Sequence, residues 1–164
     1  MSKEFNRIVE REFAQRIPQL GLVPERASGP IAWPGERCFR MGSSGSLAWI
    51  CIYPNYKGLN EFDVEIAWSH LGAYPSTCKA RPTLRFDGPA SFAKIDEGFV
   101  RLGELCSPRR GSWAADTFEQ RIAMLTRDEA AALALPLVNS AHQTIESVGL
   151  PMLQFAIESR GVGV

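Results

Sequence analysis

The residues with the clearest chemical potential are three carboxylates that alternate with apolar side chains in one short segment. Glu61, Asp63 and Glu65 are separated by Phe62 and Val64. Successive side chains of a β-strand point to opposite faces of its sheet, so this spacing predicts a strand with all three carboxylates on one face. We expect the apolar face of that strand to be buried and the carboxylate face to be exposed to solvent.

Three interpretations of this carboxylate row are compatible with the sequence. The row could hold Mg²⁺ for phosphoryl chemistry, or it could attract a basic partner protein through complementary charge. It could also be a solvated face that discourages edge-to-edge pairing of sheets. The magnesium interpretation lacks one expected residue, because Ala67 occupies the position at which a common nuclease core places lysine.

The four cysteines do not form a metal-binding or redox motif. Cys38, Cys51, Cys78 and Cys106 lie 13, 27 and 28 residues apart, whereas zinc sites and redox motifs use closely spaced pairs such as C-x-x-C. We therefore predict that all four thiols are reduced and that the chain binds no structural metal.

Two other groups suggest chemistry on weaker grounds. Arg109 and Arg110 follow Cys106, and adjacent guanidinium groups lower the pKa of a thiol and make it nucleophilic. The alternative is an inert thiol at the end of a strand. His142 and Glu146 are one helical turn apart and could share a metal, but two ligands are too few for a metal site, and we favour a solvated helix face.

Sequence motifs for cofactor chemistry are absent. The chain contains no G-x-x-x-x-G-K-[ST] phosphate loop, no G-x-G-x-x-G dinucleotide motif and no G-x-S-x-G nucleophile elbow. We therefore expect no cofactor. A non-enzymatic protein is the leading interpretation, and enzymatic activity stays open as the alternative.

Composition limits the classes of partner. The 164 residues suit one domain spanning 1–164, and 18 basic residues balance 18 acidic ones. Such a chain has no overall charge to attract nucleic acid or an anionic membrane. The N-terminal residues lack a signal-peptide core, and no later run approaches the length of a membrane span. We expect a cytoplasmic protein whose partner is another protein or a second copy in a homodimer.

Hydrophobic spacing predicts a helix followed by a β-hairpin in the first third of the chain. Apolar residues recur at three- and four-residue steps over 3–17, which is typical of an amphipathic helix. Glycine and proline are frequent over 21–35, as in irregular connections. Two-residue alternation over 36–41 and 46–53, with a glycine-rich loop between them, predicts the hairpin.

The remaining elements predict an α+β fold. Weaker strand patterns follow the carboxylate strand near 83–86 and at 99–105. Helices are predicted from the capping-box patterns that begin at Asp116 and Thr126, over 127–148, and at 152–159. Pro136 is expected to kink or split the long helix. The order predicts an N-terminal helix, an antiparallel sheet of four to five strands, and C-terminal helices packed on one face of the sheet.

A short motif near the end of the predicted sheet carries a family resemblance. Residues 101–105 read Arg-Leu-Gly-Glu-Leu and are followed by Trp113. They resemble a motif of small bacterial proteins described only as domain of unknown function 4304, whose members share this order of elements and a helix containing leucine and proline, here at 135–137. The family carries a second tryptophan where this chain has Ala114. The resemblance implies a fold and no established activity.

The sequence therefore indicates a small set of candidate residues and is compatible with more than one function. The candidate binding residues are Glu61, Asp63, Glu65, Arg101, Glu104 and Trp113. We expect a non-enzymatic binding protein, such as an antagonist or immunity-type protein that neutralises a partner through surface contact. The alternative is an enzyme with a dispersed site, in which the carboxylates act with Arg101 as an electrostatic clamp. In a purely structural interpretation, Arg101 pairs with a carboxylate of the terminal helices and Trp113 fills the core.

Overall fold

Helices cover one face of an antiparallel sheet. A computed structural model describes residues 3–25, 37–43, 45–55, 57–75, 96–106 and 111–158. The elements are, in order, α1 (Lys3–Arg16), a 3₁₀ helix (Ile17–Leu20), β1 (Val23–Glu25), β2 (Arg37–Ser43), β3 (Ser46–Pro54), β4 (Glu61–Ser69), β5 (Glu97–Arg101), α2 (Leu102–Cys106), β6 (Trp113–Ala114), α3 (Phe118–Ile122), α4 (Arg127–Thr144), a π-helical turn (Ile145–Gly149) and α5 (Leu150–Glu158). The predicted α+β class is confirmed, although the described ranges form six strands instead of four or five.

The sheet follows the chain order from β1 to β5, and neighbouring strands are antiparallel. β2 and β3 form the predicted hairpin, in which Ser43 pairs with Ser46. One edge of β4 pairs with β3, while β5 and β6 share its other edge. The carboxylate strand therefore has a neighbour on each side, and its carboxylates cannot serve to protect a free sheet edge.

The apolar face of β4 packs against the helices. The side chains on this face, Phe62, Val64, Ile66 and Trp68, are almost completely buried. They share one core with residues of α1, α4 and α5. From α1, Phe13 meets the ring of Phe62 edge-on at a centroid distance of 5.5 Å. The predicted amphipathic first helix and the predicted alternation of β4 are both confirmed.

α4 begins at the predicted capping box. The hydroxyl of Thr126 accepts a hydrogen bond from the backbone N–H of Glu129, and the Glu129 carboxylate accepts one from the backbone N–H of Thr126 at 2.8 Å. The backbone N–H and the hydroxyl of Thr126 both lie within hydrogen-bond distance of this carboxylate, and they lower the pKa of Glu129. The reciprocal pair fixes the first turn of the helix that carries the largest share of the C-terminal core.

We expect Thr126→Ala to lower the free energy of unfolding by about 1 kcal/mol, because the N–H of Glu129 loses its acceptor. Thr144→Ala is the matched control, since the Thr144 hydroxyl donates to a carbonyl within the same helix and caps nothing. It should stay within about 0.5 kcal/mol of the parent. Urea titration measures both, and equal costs would show that the box adds no specific stability.

The predicted strand at 99–105 is wrong in its second half. β5 ends at Arg101, and Leu102–Cys106 forms α2. Leu102 is completely buried in the core on the helix side of the sheet, and the end of β4 that a longer β5 would reach is paired with β6. Both features turn the chain away from the sheet. Glu104 consequently lies on an exposed helix surface instead of a sheet face.

Of the two outcomes expected at Pro136, a kink or a split of the long helix, the split does not occur. Pro136 lies inside α4, which continues to Thr144 before the π-helical turn leads into α5. Pro136 and Ala132, the residue one turn earlier, are both exposed. The Ala132 carbonyl that loses its hydrogen-bond donor is therefore on the solvent side, where water can replace the missing N–H.

One strand was not expected from the sequence. β1 lies within 21–35, the region expected to be irregular, and pairs with β2. The predicted strand near 83–86 lies outside the described residues. None of the helices in the described ranges combines the length and the apolar character that crossing a membrane requires.

Candidate functional site

The three carboxylates of β4 share the sheet face opposite the helices, as predicted, but that face is not solvated. Glu61 and Glu65 are only 8% and 9% exposed, and Asp63 is half-buried. The expectation of an exposed carboxylate face is wrong because tyrosine, asparagine and arginine side chains cover and contact these groups. Burial of this kind is tolerated when each carboxylate is hydrogen-bonded or ion-paired.

Glu65 lies in a cluster of hydroxyl and thiol groups. Tyr53 on β3 and Tyr74 both donate hydrogen bonds to Glu65 Oε1, at 3.3 and 3.1 Å. Cys51, the register partner of Glu65 on β3, donates its thiol proton to Tyr74 Oη at 3.7 Å. Trp49 meets the Tyr74 ring edge-on at a centroid distance of 5.2 Å. The carboxylate is therefore stabilised by two phenols inside a small apolar cluster.

The protonation states of this cluster follow from its burial. Burial raises the pKa of Tyr53 and of Tyr74 well above the usual value, and the charges of Cys51 and Glu65 add to the rise. Burial also raises the pKa of Cys51. All three groups keep their protons at neutral pH. The two tyrosines donate hydrogen bonds to Glu65 and Cys51 donates to Tyr74, but all three groups are poor nucleophiles.

Asp63 and Arg101 form the predicted combination of carboxylate and arginine. A guanidinium nitrogen of Arg101 lies 3.8 Å from Asp63 Oδ2, and Arg101 is also the register partner of Glu65. The carboxylate that pairs with Arg101 thus comes from β4 and not from a terminal helix. Asp63 Oδ1 is buried and has no hydrogen-bond partner among the described residues. Within those residues, no group of three or more His, Cys, Asp or Glu side chains could hold a metal ion.

Glu61 belongs to a second polar cluster, which attaches α3 to the sheet. Its carboxylate pairs with Arg121 of α3 and accepts a hydrogen bond from Asn55 Nδ2 at 2.5 Å. The completely buried Asn60 donates from its side chain to two backbone carbonyls at the end of α3, at 2.7 and 3.0 Å. Its backbone N–H donates to the carbonyl of Arg121 at 2.7 Å. Polar bonds, not apolar packing, therefore hold this short helix in place.

α3 and the residues after it present large apolar side chains to solvent. Phe118 is 66% exposed, Ile122 is 51% exposed and Met124 is 83% exposed. No residue of α3 is buried, although helices of globular proteins usually turn their apolar side chains towards the core. We call Phe118, Ile122 and Met124 the α3 patch. Three large apolar side chains are therefore exposed within seven residues.

The remaining candidate residues lie outside the clusters around Glu61 and Glu65 or make contacts that are structural. Trp113 on β6 stacks on Phe62, with ring centroids 5.9 Å apart and planes 9° from parallel, which agrees with its structural interpretation. Ala114, at the position of the second tryptophan of the family motif, pairs with Glu61. Partial burial raises the pKa of the exposed Cys106, which is opposite to the direction expected for an activated thiol. Arg109 and Arg110 lie outside the described residues.

The sequence reasoning missed the α3 patch and the two tyrosines around Glu65. Phe118 and Ile122 are four residues apart, so they share one face of a helix. The same spacing is typical of a buried stripe. It cannot distinguish a helix face that packs against the core from one that is exposed to solvent. No sequence pattern places the tyrosines near Glu65, because Tyr53 and Tyr74 come together only through strand pairing and the turn after β4.

Comparisons with known proteins add no functional information. No protein-family model matches the chain, and no curated protein or solved structure shows significant similarity to it. The resemblance to domain of unknown function 4304 stays a prediction, which rests on residues 101–105 and Trp113. Function must therefore be inferred from the contacts and exposure of this chain's own residues.

Proposed function

We propose that the chain is a non-enzymatic binding protein that neutralises a basic partner protein by surface contact, as antagonist and immunity-type proteins do. The observation that carries this proposal is the exposure of the α3 patch on a helix held by buried polar bonds. Large apolar side chains at the centre of an interface supply much of its binding free energy. A helix that is already fixed loses little conformational entropy when it binds.

The charges beside the α3 patch favour a basic partner over a second copy of the chain. Residues 116–129 include four acidic and two basic residues, and one of the basic residues, Arg121, is paired with Glu61. The four acidic residues, Asp116, Glu119, Asp128 and Glu129, are exposed. In a symmetric homodimer the same surface meets itself, so these carboxylates would face one another and repel.

The carboxylate row of β4 supports this proposal indirectly. Glu61 holds Arg121 and so helps to position α3. Asp63 and Glu65 have contacts inside the sheet, with Arg101 and with two tyrosines. In this proposal the row positions the binding surface and does not itself meet the partner, which differs from the contact surface expected from the sequence.

One observation favours the alternative, an enzyme with a dispersed carboxylate and arginine site. Asp63 Oδ1 is buried without a hydrogen-bond partner in the described part of the chain, close to the Arg101 guanidinium. Such a carboxylate could bind or activate a substrate group. The neighbouring tyrosines stay protonated because burial raises the pKa of each, so this site has fewer reactive groups than the alternative requires.

The test is a capture experiment from the cells that naturally make the protein. Replacing all three residues of the α3 patch with serine should weaken partner binding by about 100-fold or more, because the central anchors of the interface are lost. The fold should survive, since these side chains are already exposed. The matched control replaces Val23, Leu71 and Phe155 with serine, which are also large, apolar and exposed, and it should retain the partner.

The identity of the captured molecule distinguishes the proposals. A basic protein, bound one-to-one and released by salt, would support the proposed function. Retention of that protein by the α3 patch variant would remove this patch from the interface. Self-association that the same variant abolishes would identify a second copy as the occupant. A retained small molecule or metal, lost in Asp63→Asn, would favour the enzyme alternative.

A further inference from the structure

Two cysteines face each other across the β2–β3 hairpin. Cys38 and Cys51 are register partners, and their Sγ atoms are 2.7 Å apart. Directly opposed residues of antiparallel strands have Cα atoms about 4.5 or 5.5 Å apart, and both separations lie in the range that a disulfide can bridge. Both residues are free thiols in this structure. A bond between them therefore requires little movement of the backbone.

We propose that Cys38 and Cys51 form a redox modification site that closes to an intramolecular disulfide by exchange with a low-molecular-weight disulfide. The 13-residue spacing of the pair matches no redox motif, and only the pairing register of the hairpin brings the thiols together. The prediction that all four thiols are reduced then describes the resting protein. This proposal is independent of the α3 patch and of partner binding.

The two thiols differ in access, which sets the order of the reaction. Cys38 is half-buried, whereas Cys51 is completely buried. Burial raises the pKa of Cys51, and its contact with Cys38 adds to the rise. Cys38 is therefore the thiol that a reagent meets first, and Cys51 is the resolving thiol.

The reaction balances with the reagent disulfide, RSSR, as the oxidant. The Cys38 thiolate attacks one sulfur of RSSR, which breaks the reagent's S–S bond, forms a mixed disulfide at Cys38 and releases RS⁻. The Cys51 thiolate then attacks the Cys38 sulfur, forms the protein disulfide and releases a second RS⁻. Two electrons pass from the protein to the reagent, and the two thiol protons end on two RSH molecules. Excess RSH reverses both steps.

Formation of the disulfide should change the environment of the aromatic side chains next to Cys51. The reduced Cys51 donates a hydrogen bond to Tyr74 Oη at 3.7 Å, and the Tyr74 ring contacts Trp49. A disulfide sulfur has no proton to donate, so Tyr74 loses this donor on oxidation. Near-ultraviolet circular dichroism reports the environment of aromatic side chains and should change when the disulfide forms.

The experiment uses a Cys78→Ser, Cys106→Ser variant, which retains Cys38 and Cys51 as its two thiols. Incubated folded with glutathione disulfide, this protein should lose the mass of two hydrogen atoms and both alkylatable thiols together. The closed form should exceed the mixed disulfide by about tenfold or more, because the second thiol is held in place. Peptide mapping should recover the Cys38–Cys51 link, and excess glutathione should remove it.

Single-thiol variants give the controls. Adding Cys38→Ser should leave Cys51 unmodified, and adding Cys51→Ser should stop the reaction at a stable mixed disulfide on Cys38. Accumulation of the mixed disulfide in the two-thiol protein would overturn the proposal, as would the absence of any reaction. If Cys51→Ser does not fold, the two-thiol protein and the Cys38→Ser variant still decide the outcome by mass alone.

Discussion

Replacing Glu65 with lysine is expected to destabilise the protein by about 3–5 kcal/mol, a large share of the stability of a typical domain. Glu65 is 9% exposed and accepts hydrogen bonds from Tyr53 and Tyr74. A lysine ammonium cannot accept these bonds, so two buried phenols would lose their acceptor. The new charge would also lie opposite Arg101 on the neighbouring strand, where like charges repel. Denaturant titration followed by circular dichroism measures the change.

Two further variants show whether burial causes the loss. Glu104→Lys makes the same change of charge on the exposed surface of α2 and should stay within about 0.5 kcal/mol of the parent. Glu65→Gln keeps an oxygen that can accept from the tyrosines and should have an intermediate cost. If Glu65→Lys were as stable as Glu104→Lys, the carboxylate face of β4 would have to be exposed, and its role as a partner surface would be restored.

The behaviour expected at Glu65 shows where sequence reasoning about β4 was sufficient and where it was not. A two-residue period determines which side chains share a face, and that geometry was predicted correctly. Whether that face is exposed to solvent depends on which side chains cover it. The covering hydroxyls come from Tyr53 and Tyr74, which lie 12 residues before and nine residues after Glu65 in the chain. A pattern read along one strand contains no information about either.

The other predictions also succeeded where nearby residues determine the structure and failed where tertiary contacts determine it. The Thr126 capping box and the β2–β3 hairpin were predicted because residues only a few positions apart determine them. The end of β5 was not predicted, because burial of Leu102 in the core and pairing of β6 with β4 decide it. The α3 patch was missed for a related reason: helical spacing predicts a shared face, and only the tertiary structure shows that this face is exposed.

Gly98 is a further position at which long-range packing determines the residue type. It lies on β5 opposite Trp68 of β4. A Cβ atom at this position would be 2.5 Å from Trp68 Cζ2 and 2.7 Å from Cη2. Trp68 is completely buried, and close-packed neighbours limit how far its ring can move. Glycine is therefore needed here because the indole passes directly over the backbone of β5.

We expect Gly98→Ala to lower the free energy of unfolding by about 2–3 kcal/mol, since the added methyl group overpacks the core. Gly111→Ala is the matched control, because a Cβ at that position would have no atom of the described residues within 4 Å apart from its chain neighbours, and it should be close to neutral. The decisive comparison repeats Gly98→Ala in a Trp68→Phe background, which lacks the outer indole ring atoms that the Cβ would meet. Its cost should fall there by about 1 kcal/mol or more, measured as a double-mutant cycle. An equal cost in the two backgrounds would mean that the alanine acts on the β5 backbone and not through Trp68.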